Sequence, residues 1–89
     1  MLMRYEKLKY ERIRNLRIEN NLTQKELAKI LNLKQNTYSQ YEIGILNYPI
    51  EVLIKLSIFY NTSIDYLLEL TNLKGPYPRA NKKLPSLKL

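Results

Sequence analysis

Leu22-Thr23-Gln24-Lys25-Glu26-Leu27-Ala28 opens, and Tyr41-Glu42-Ile43-Gly44 closes, the stretch whose reading decides the fold. Thr23 is a good helix N-cap, and Glu26 stands three residues later, where it completes a capping box. Leu22 and Leu27 flank the cap at the spacing of a hydrophobic staple. The helix begun there runs to Leu31 and presents Leu27, Ala28 and Leu31 to a core. Asn32 ends it, because asparagine tolerates the left-handed conformation of a C-terminal cap. Leu33 is then a single apolar residue in a very short connection. The next helix runs from Lys34 or Gln35 to Ile43, and Gly44 closes it.

Two short helices joined by so few residues form a helix-turn-helix. Ala28 lets the second helix cross closely, Asn32 permits the reversal, and Leu33 plugs the corner. On the second helix Tyr38 and Tyr41 point inward. Gln35, Asn36, Ser39, Gln40 and Ile43 share the opposite face. Asn and Gln donate and accept at once, so they can pair bidentately with adenine in the major groove. Faces rich in glutamine also decorate ordinary solvent-exposed helices, and the face alone leaves both readings open.

Outward from this pair, apolar spacing is helical almost everywhere, and no stretch alternates like a strand. A first helix is expected over about Glu6–Asn20, anchored by Leu8, Ile13 and Leu16 and ended by Asn20-Asn21. The repeat of Tyr5-Glu6-Lys7-Leu8 in Tyr10-Glu11-Arg12-Ile13 matches no repeat architecture. A loop, Ile45–Pro49, leads to a fourth helix over about Ile50–Tyr60. Asn61-Thr62-Ser63 forms a turn with Ser63 as the next N-cap and Asp65 in the first turn. A short fifth helix, about Ile64–Leu70, follows. The fold is therefore all-α with five helices over residues 1–71. Residues 72–89 read as an extended or disordered basic tail, with Lys74, Arg79, Lys82, Lys83, Lys88 and three of the four prolines.

The chain has 89 residues, 15 Lys and Arg against 8 Asp and Glu, and a formal charge of +7. That is enough for one core and too little for a second, ligand-sensing domain. The charge suits a polyanionic partner, nucleic acid or an anionic membrane surface, or serves solubility. Histidine and cysteine are absent, which excludes a zinc site, a thiol nucleophile, a histidine proton relay and disulfides. Composition leaves a carboxylate-only hydrolase open, but there is no Gly-rich loop and no isolated carboxylate pair. No enzyme activity, metal or cofactor is expected. No apolar run approaches the roughly 20 residues of a membrane span. Charges at Arg4, Glu6, Lys7 and Lys9 argue against a secretory signal, so a cytoplasmic protein is expected.

Leu22 to Leu68 resembles the DNA-binding domain of the phage repressor and Cro family, also called the XRE family. The matching pieces are Leu22 to Ala28, Tyr41 to Gly44, and Asn61-Thr62-Ser63-Ile64-Asp65-Tyr66-Leu67-Leu68. Ile13-Arg14-Asn15-Leu16-Arg17 extends the match leftward. The resemblance implies a repressor-like transcription regulator that binds double-stranded DNA as a homodimer on a two-fold operator. It implies that Gln24 holds a phosphate by its side chain and helix N-terminus. Gln35, Asn36 and Gln40 match base-reading positions, while Ser39 and Lys34 suit a phosphate or a flanking base. Arg17 and Glu42 match a structural ion pair tying the first helix to the end of the third.

This chain departs from the family pattern in four places. Lys34 replaces a common Ser or Thr cap. Tyr38 replaces a β-branched residue, requiring either a roomier core or a hydroxyl at the surface. Ile43, Ile45 and Leu46 form an apolar rim that suits a thymine methyl, a sugar or a partner subunit. Pro49 sits one place later than usual, after Tyr48. Leu68, Leu70 and Leu73 either form a dimer surface or close the monomer core. A different class of function is an interaction module, such as an antitoxin that docks a protein partner through the tail around Gly75–Arg79 and binds its own promoter. That tail would equally suit a basic arm on phosphates.

Overall fold

A computed structural model describes residues 9–78. Helix α1 spans Glu11–Glu19, α2 Gln24–Ile30, α3 Gln35–Glu42, α4 Ile50–Tyr60 and α5 Ile64–Leu67. No strand occurs among the described residues. The expected start of α1 at Glu6 moves to Glu11, since Lys9 and Tyr10 form a turn. The expected anchor Leu8 lies outside the described residues, as do Arg79, Lys82, Lys83 and Lys88.

Four of the five helix ends, all but that of α3, share one device. Asn21, Asn32, Asn61 and Glu69 all have positive φ, between 53° and 64°. The next residue then donates its N–H back over the helix end: Leu22 to Arg17 O, Leu33 to Ala28 O, Thr62 to Ser57 O and Leu70 to Asp65 O, at 2.8–3.0 Å. Each closure satisfies a carbonyl that the helix leaves unpaired and turns the chain by a fixed amount. Because Glu69 adopts this conformation, α5 is one turn long and does not reach Leu70.

The starts are chemical. Thr23 Oγ1 accepts from the N–H of Glu26 at 3.0 Å and Glu26 Oε1 accepts from the N–H of Thr23 at 2.8 Å, a reciprocal capping box. That bonding holds the Glu26 carboxyl below its ordinary pKa. Ser63 caps α5 by accepting from the N–H of Tyr66. Lys34 precedes α3 in an extended conformation without a side-chain cap.

Ile13, Leu16, Leu27, Ala28, Leu31, Tyr38, Tyr41, Tyr48, Val52, Leu53, Leu56 and Leu67 form one buried core. α3 packs on α2 and α1, and α4 on α5. The space for Tyr38 is built from aromatic rings: Tyr48, delivered by the α3–α4 loop, meets Tyr10, Tyr38 and Tyr41 at centroid distances of 5.1, 6.4 and 5.4 Å. Such tilted and edge-on pairs gain beyond their buried area.

Residues 72–78 have no helix, yet they are tied to the body. Arg12 donates from Nη1 to Tyr66 O (2.9 Å) and Thr71 O (2.8 Å) and from Nη2 to Asn72 Oδ1 (3.2 Å). Its guanidinium lies 4.1 Å from the centre of the Tyr66 ring. Thr62 Oγ1 donates to Lys74 O, and the Tyr77 hydroxyl to Asp65 Oδ2 at 2.8 Å. That last bond holds the Tyr77 hydroxyl above its ordinary pKa.

Candidate nucleic-acid interface

The 3.6-residue period sorts α3 into two faces. Tyr38, Tyr41 and Glu42 are buried. Gln35, Asn36 and Gln40 are exposed and Ser39 half-buried, on the other side, with exposed Lys34 just before the helix. The outer face thus carries three carboxamides and a hydroxyl, and no charge within the helix. None of these four side chains has a hydrogen-bond partner among the described residues.

Glu42 fixes how that face is presented. The residue is 1 % exposed, and its carboxylate receives donors from three helices. Arg17 of α1 donates from Nε to Oε2 at 2.8 Å and from Nη2 to Oε1 at 2.9 Å. Gln24 of α2 donates from Nε2 to Oε1 at 3.0 Å. Tyr38, one turn earlier on α3, donates its hydroxyl to Oε2 at 2.6 Å. Burial opposes ionisation of Glu42 most strongly, but the bonds from Arg17, Tyr38 and Gln24 together outweigh it and hold the pKa below its ordinary value. The bond to Glu42 raises the pKa of Arg17 in turn. Burial pushes the Tyr38 hydroxyl upward, so it stays a donor.

The fork of Arg17 matches the carboxylate with two parallel bonds, and its Nη1 reaches Leu22 O at 2.8 Å. One side chain therefore joins the end of α1, the turn before α2 and the end of α3. Gln24 spends one of its two amide hydrogens on Glu42. The Tyr38 hydroxyl, for which the sequence left a surface position open, is fully buried on Glu42. The i, i+4 spacing of Tyr38 and Glu42 was the available signal for that bond. The link from Gln24 to Glu42, 18 residues apart, had none.

Ile43, Ile45 and Leu46 beyond the outer face of α3 are exposed. Of the candidate dimer residues, Leu68 is half-buried against the core, whereas Leu70 and Leu73 stand 73 % and 78 % exposed. Closing the monomer core therefore falls to Leu67 and Leu68, not to these two. Among the described residues there is no cluster that could hold a metal and no helix long and apolar enough to cross a membrane.

A helix-turn-helix family model matches residues 13–67, and the chain belongs to this family of XRE-type DNA-binding regulators, which are not enzymes. Over 73 residues, 82 % of its length, it is 33 % identical to the HTH-type transcriptional regulator YobD of Bacillus subtilis, of which it covers 63 %. It is 41 % identical over 58 residues to the HTH-type transcriptional regulator ImmR of the same organism, covering 65 % of this chain and 46 % of that protein. It is 39 % identical over 57 residues to the cryptic phage CTXphi transcriptional repressor RstR of Vibrio cholerae, covering 64 % of this chain and 51 % of that protein. The chain thus spans less than two thirds of the length of each of these relatives. No solved structure matches it significantly.

Proposed function

We propose that the protein is a sequence-specific transcription regulator, a cytoplasmic repressor that binds a two-fold operator as a homodimer. The observation that carries this reading is the uncharged outer face of α3, Gln35, Asn36, Ser39 and Gln40, presented by a helix whose other face is locked through Glu42. Gln35, Asn36 and Gln40 read base edges in the major groove, each good bidentate pair giving about 1–3 kcal/mol of discrimination. Gln24 sets the register on a phosphate with its remaining amide hydrogen, and Lys34 and Ser39 take a phosphate or a flanking base. A single recognition helix covers few base pairs, and a second copy doubles the contacts. The exposed Leu70 and Leu73 are the surface proposed for that copy, because large apolar side chains this open gain by being covered.

Selection of bound duplexes from a random DNA pool, followed by anisotropy titrations, tests the reading. An enriched palindrome with adenines in each half-site is the expected result. Binding without any enriched motif would remove sequence-specific regulation from consideration.

A further inference from the structure

From Gln35 to Ile54 the chain contains no lysine or arginine. The loop behind α3 therefore offers a DNA backbone mainly apolar side chains, with Ile43, Ile45, Leu46 and Ile50 all exposed. Counterion-releasing contacts to phosphates need cations; beside this loop stands Lys9, whose ammonium donates to Asn47 Oδ1 at 2.7 Å, and two more cations stand near the other end of α3 with no such bond. Lys25 and Lys29 stand one turn apart on α2, with Cβ atoms about 6 Å apart. Both are exposed. With Ala28, Asn32, Leu33 and Gln35 they line an open groove of about 390 Å³. Gln35 is the first residue of α3, so this groove and the base-reading face share a wall.

Neither lysine is spoken for. Among the described residues, neither ammonium lies within ion-pair distance of a carboxylate. Glu26, the acid nearest in sequence, is engaged in the capping box with Thr23. Of the other acids of the described body, Glu42 is buried among Arg17, Gln24 and Tyr38, and Glu11, Glu19, Glu51, Asp65 and Glu69 belong to α1, α4, α5 and the turn after it. Exposed lysines can serve solubility alone. Two cations one turn apart, in a groove walled by a reading residue, suit successive negative groups of a strand passing the start of α3.

We propose that Lys25 and Lys29 form a backbone-phosphate site on the flank of the half-site beyond the N-terminus of α3. The chain then holds DNA from the start of its reading helix. This inference rests on the DNA-reading assignment above and extends it to two lysines of α2 that it leaves without a contact.

The test uses the full chain and a duplex enriched from the random pool, titrated at several salt concentrations. Lys25→Gln/Lys29→Gln keeps side-chain length and removes both charges, and its far-UV spectrum is compared with the wild type. Loss of two phosphate contacts lowers the slope of log K against log[salt] by about 1.8, so the affinity gap widens about 60-fold between 1 M and 0.1 M salt. The selected sequence is expected to stay the same. An unchanged slope, with the wild type still enriching its motif, overturns the phosphate site and leaves the groove to an acidic protein surface, while the DNA reading stands. A changed motif with an unchanged slope also overturns it, by assigning the lysines to bases. Failure of the wild type to enrich any motif removes both readings.

Discussion

Replacing Glu42 with alanine tests the packing logic of the helix-turn-helix. The substitution removes a carboxylate on which four donors converge, from α1, α2 and α3. What remains is a guanidinium only 13 % exposed, a buried phenol and an amide that must each find new partners. Breaking a buried ion pair from one side costs about 3–5 kcal/mol, chiefly through the uncompensated charge. Domains of this kind have roughly 5–15 kcal/mol of stability in all. At about 4–8 °C per kcal/mol for a 60–100-residue domain, Tm should fall by 12 °C or more. Urea and thermal unfolding followed by circular dichroism at pH 7 measure the loss. A cost below about 1 kcal/mol, the range of exposed pairs, would refute the reasoning by showing that Arg17 and Glu42 behave as a solvent-screened surface contact.

The pH dependence supplies a second reading of the same network. The folded pKa of Glu42 lies below its ordinary value of 4.5, so on acidification the unfolded chain binds that proton first. The stability Glu42 contributes is therefore present above 4.5 and is lost as the pH falls through the folded pKa. Glu42→Gln keeps the volume but cannot titrate. The stability gap between wild type and this variant should shrink between pH 6 and pH 3, and a gap that widens on acidification would contradict the sign.

Three further outcomes are expected. Tyr38→Phe deletes the 2.6 Å bond to Glu42 while leaving the ring in place, and should cost about 1.5–3 kcal/mol in urea unfolding, the range for hydrogen bonds to charged groups. Gly44→Ala forces a side chain into φ +89° with its Cβ 3.3 Å from Lys9 Cβ, and a loss of about 1–2 kcal/mol is expected from the left-handed backbone. Arg12→Ala removes the bonds to Tyr66 O, Thr71 O and Asn72, so limited trypsin digestion should cut after Lys74 faster than in the wild type while the five-helix spectrum persists.

Most helix boundaries were legible because they are set by residues within one turn of them. Thr23 and Glu26 satisfy each other's N–H groups across three residues, and that bonding competes with nothing distant. Asn21, Asn32 and Gly44 take left-handed conformations that few other residues tolerate, so the same types mark the same bends in any core. The exception shows the rule from the other side. Glu69 takes that conformation without an asparagine's local preference, and the fifth helix stops three residues short of its expected end. The Arg12 contacts that hold Tyr66, Thr71 and Asn72 in place span 54 to 60 residues of sequence.

The candidate site divides along the same line. Periodicity alone separated Gln35, Asn36, Ser39 and Gln40 from Tyr38 and Tyr41, since a helix places residues three and four apart on one face whatever surrounds it. The class of fold followed from such local patterns, and the ion pair of Arg17 and Glu42 from a resemblance carried by them. The tertiary structure alone decided where the Tyr38 hydroxyl goes, that Gln24 joins the same carboxylate, that Tyr48 fills the core among three other tyrosines, and that residues 72–78 lie against the helices. These depend on which side chains from distant segments meet in a shared volume. A buried donor takes whatever acceptor that volume holds, and no spacing along the chain records it.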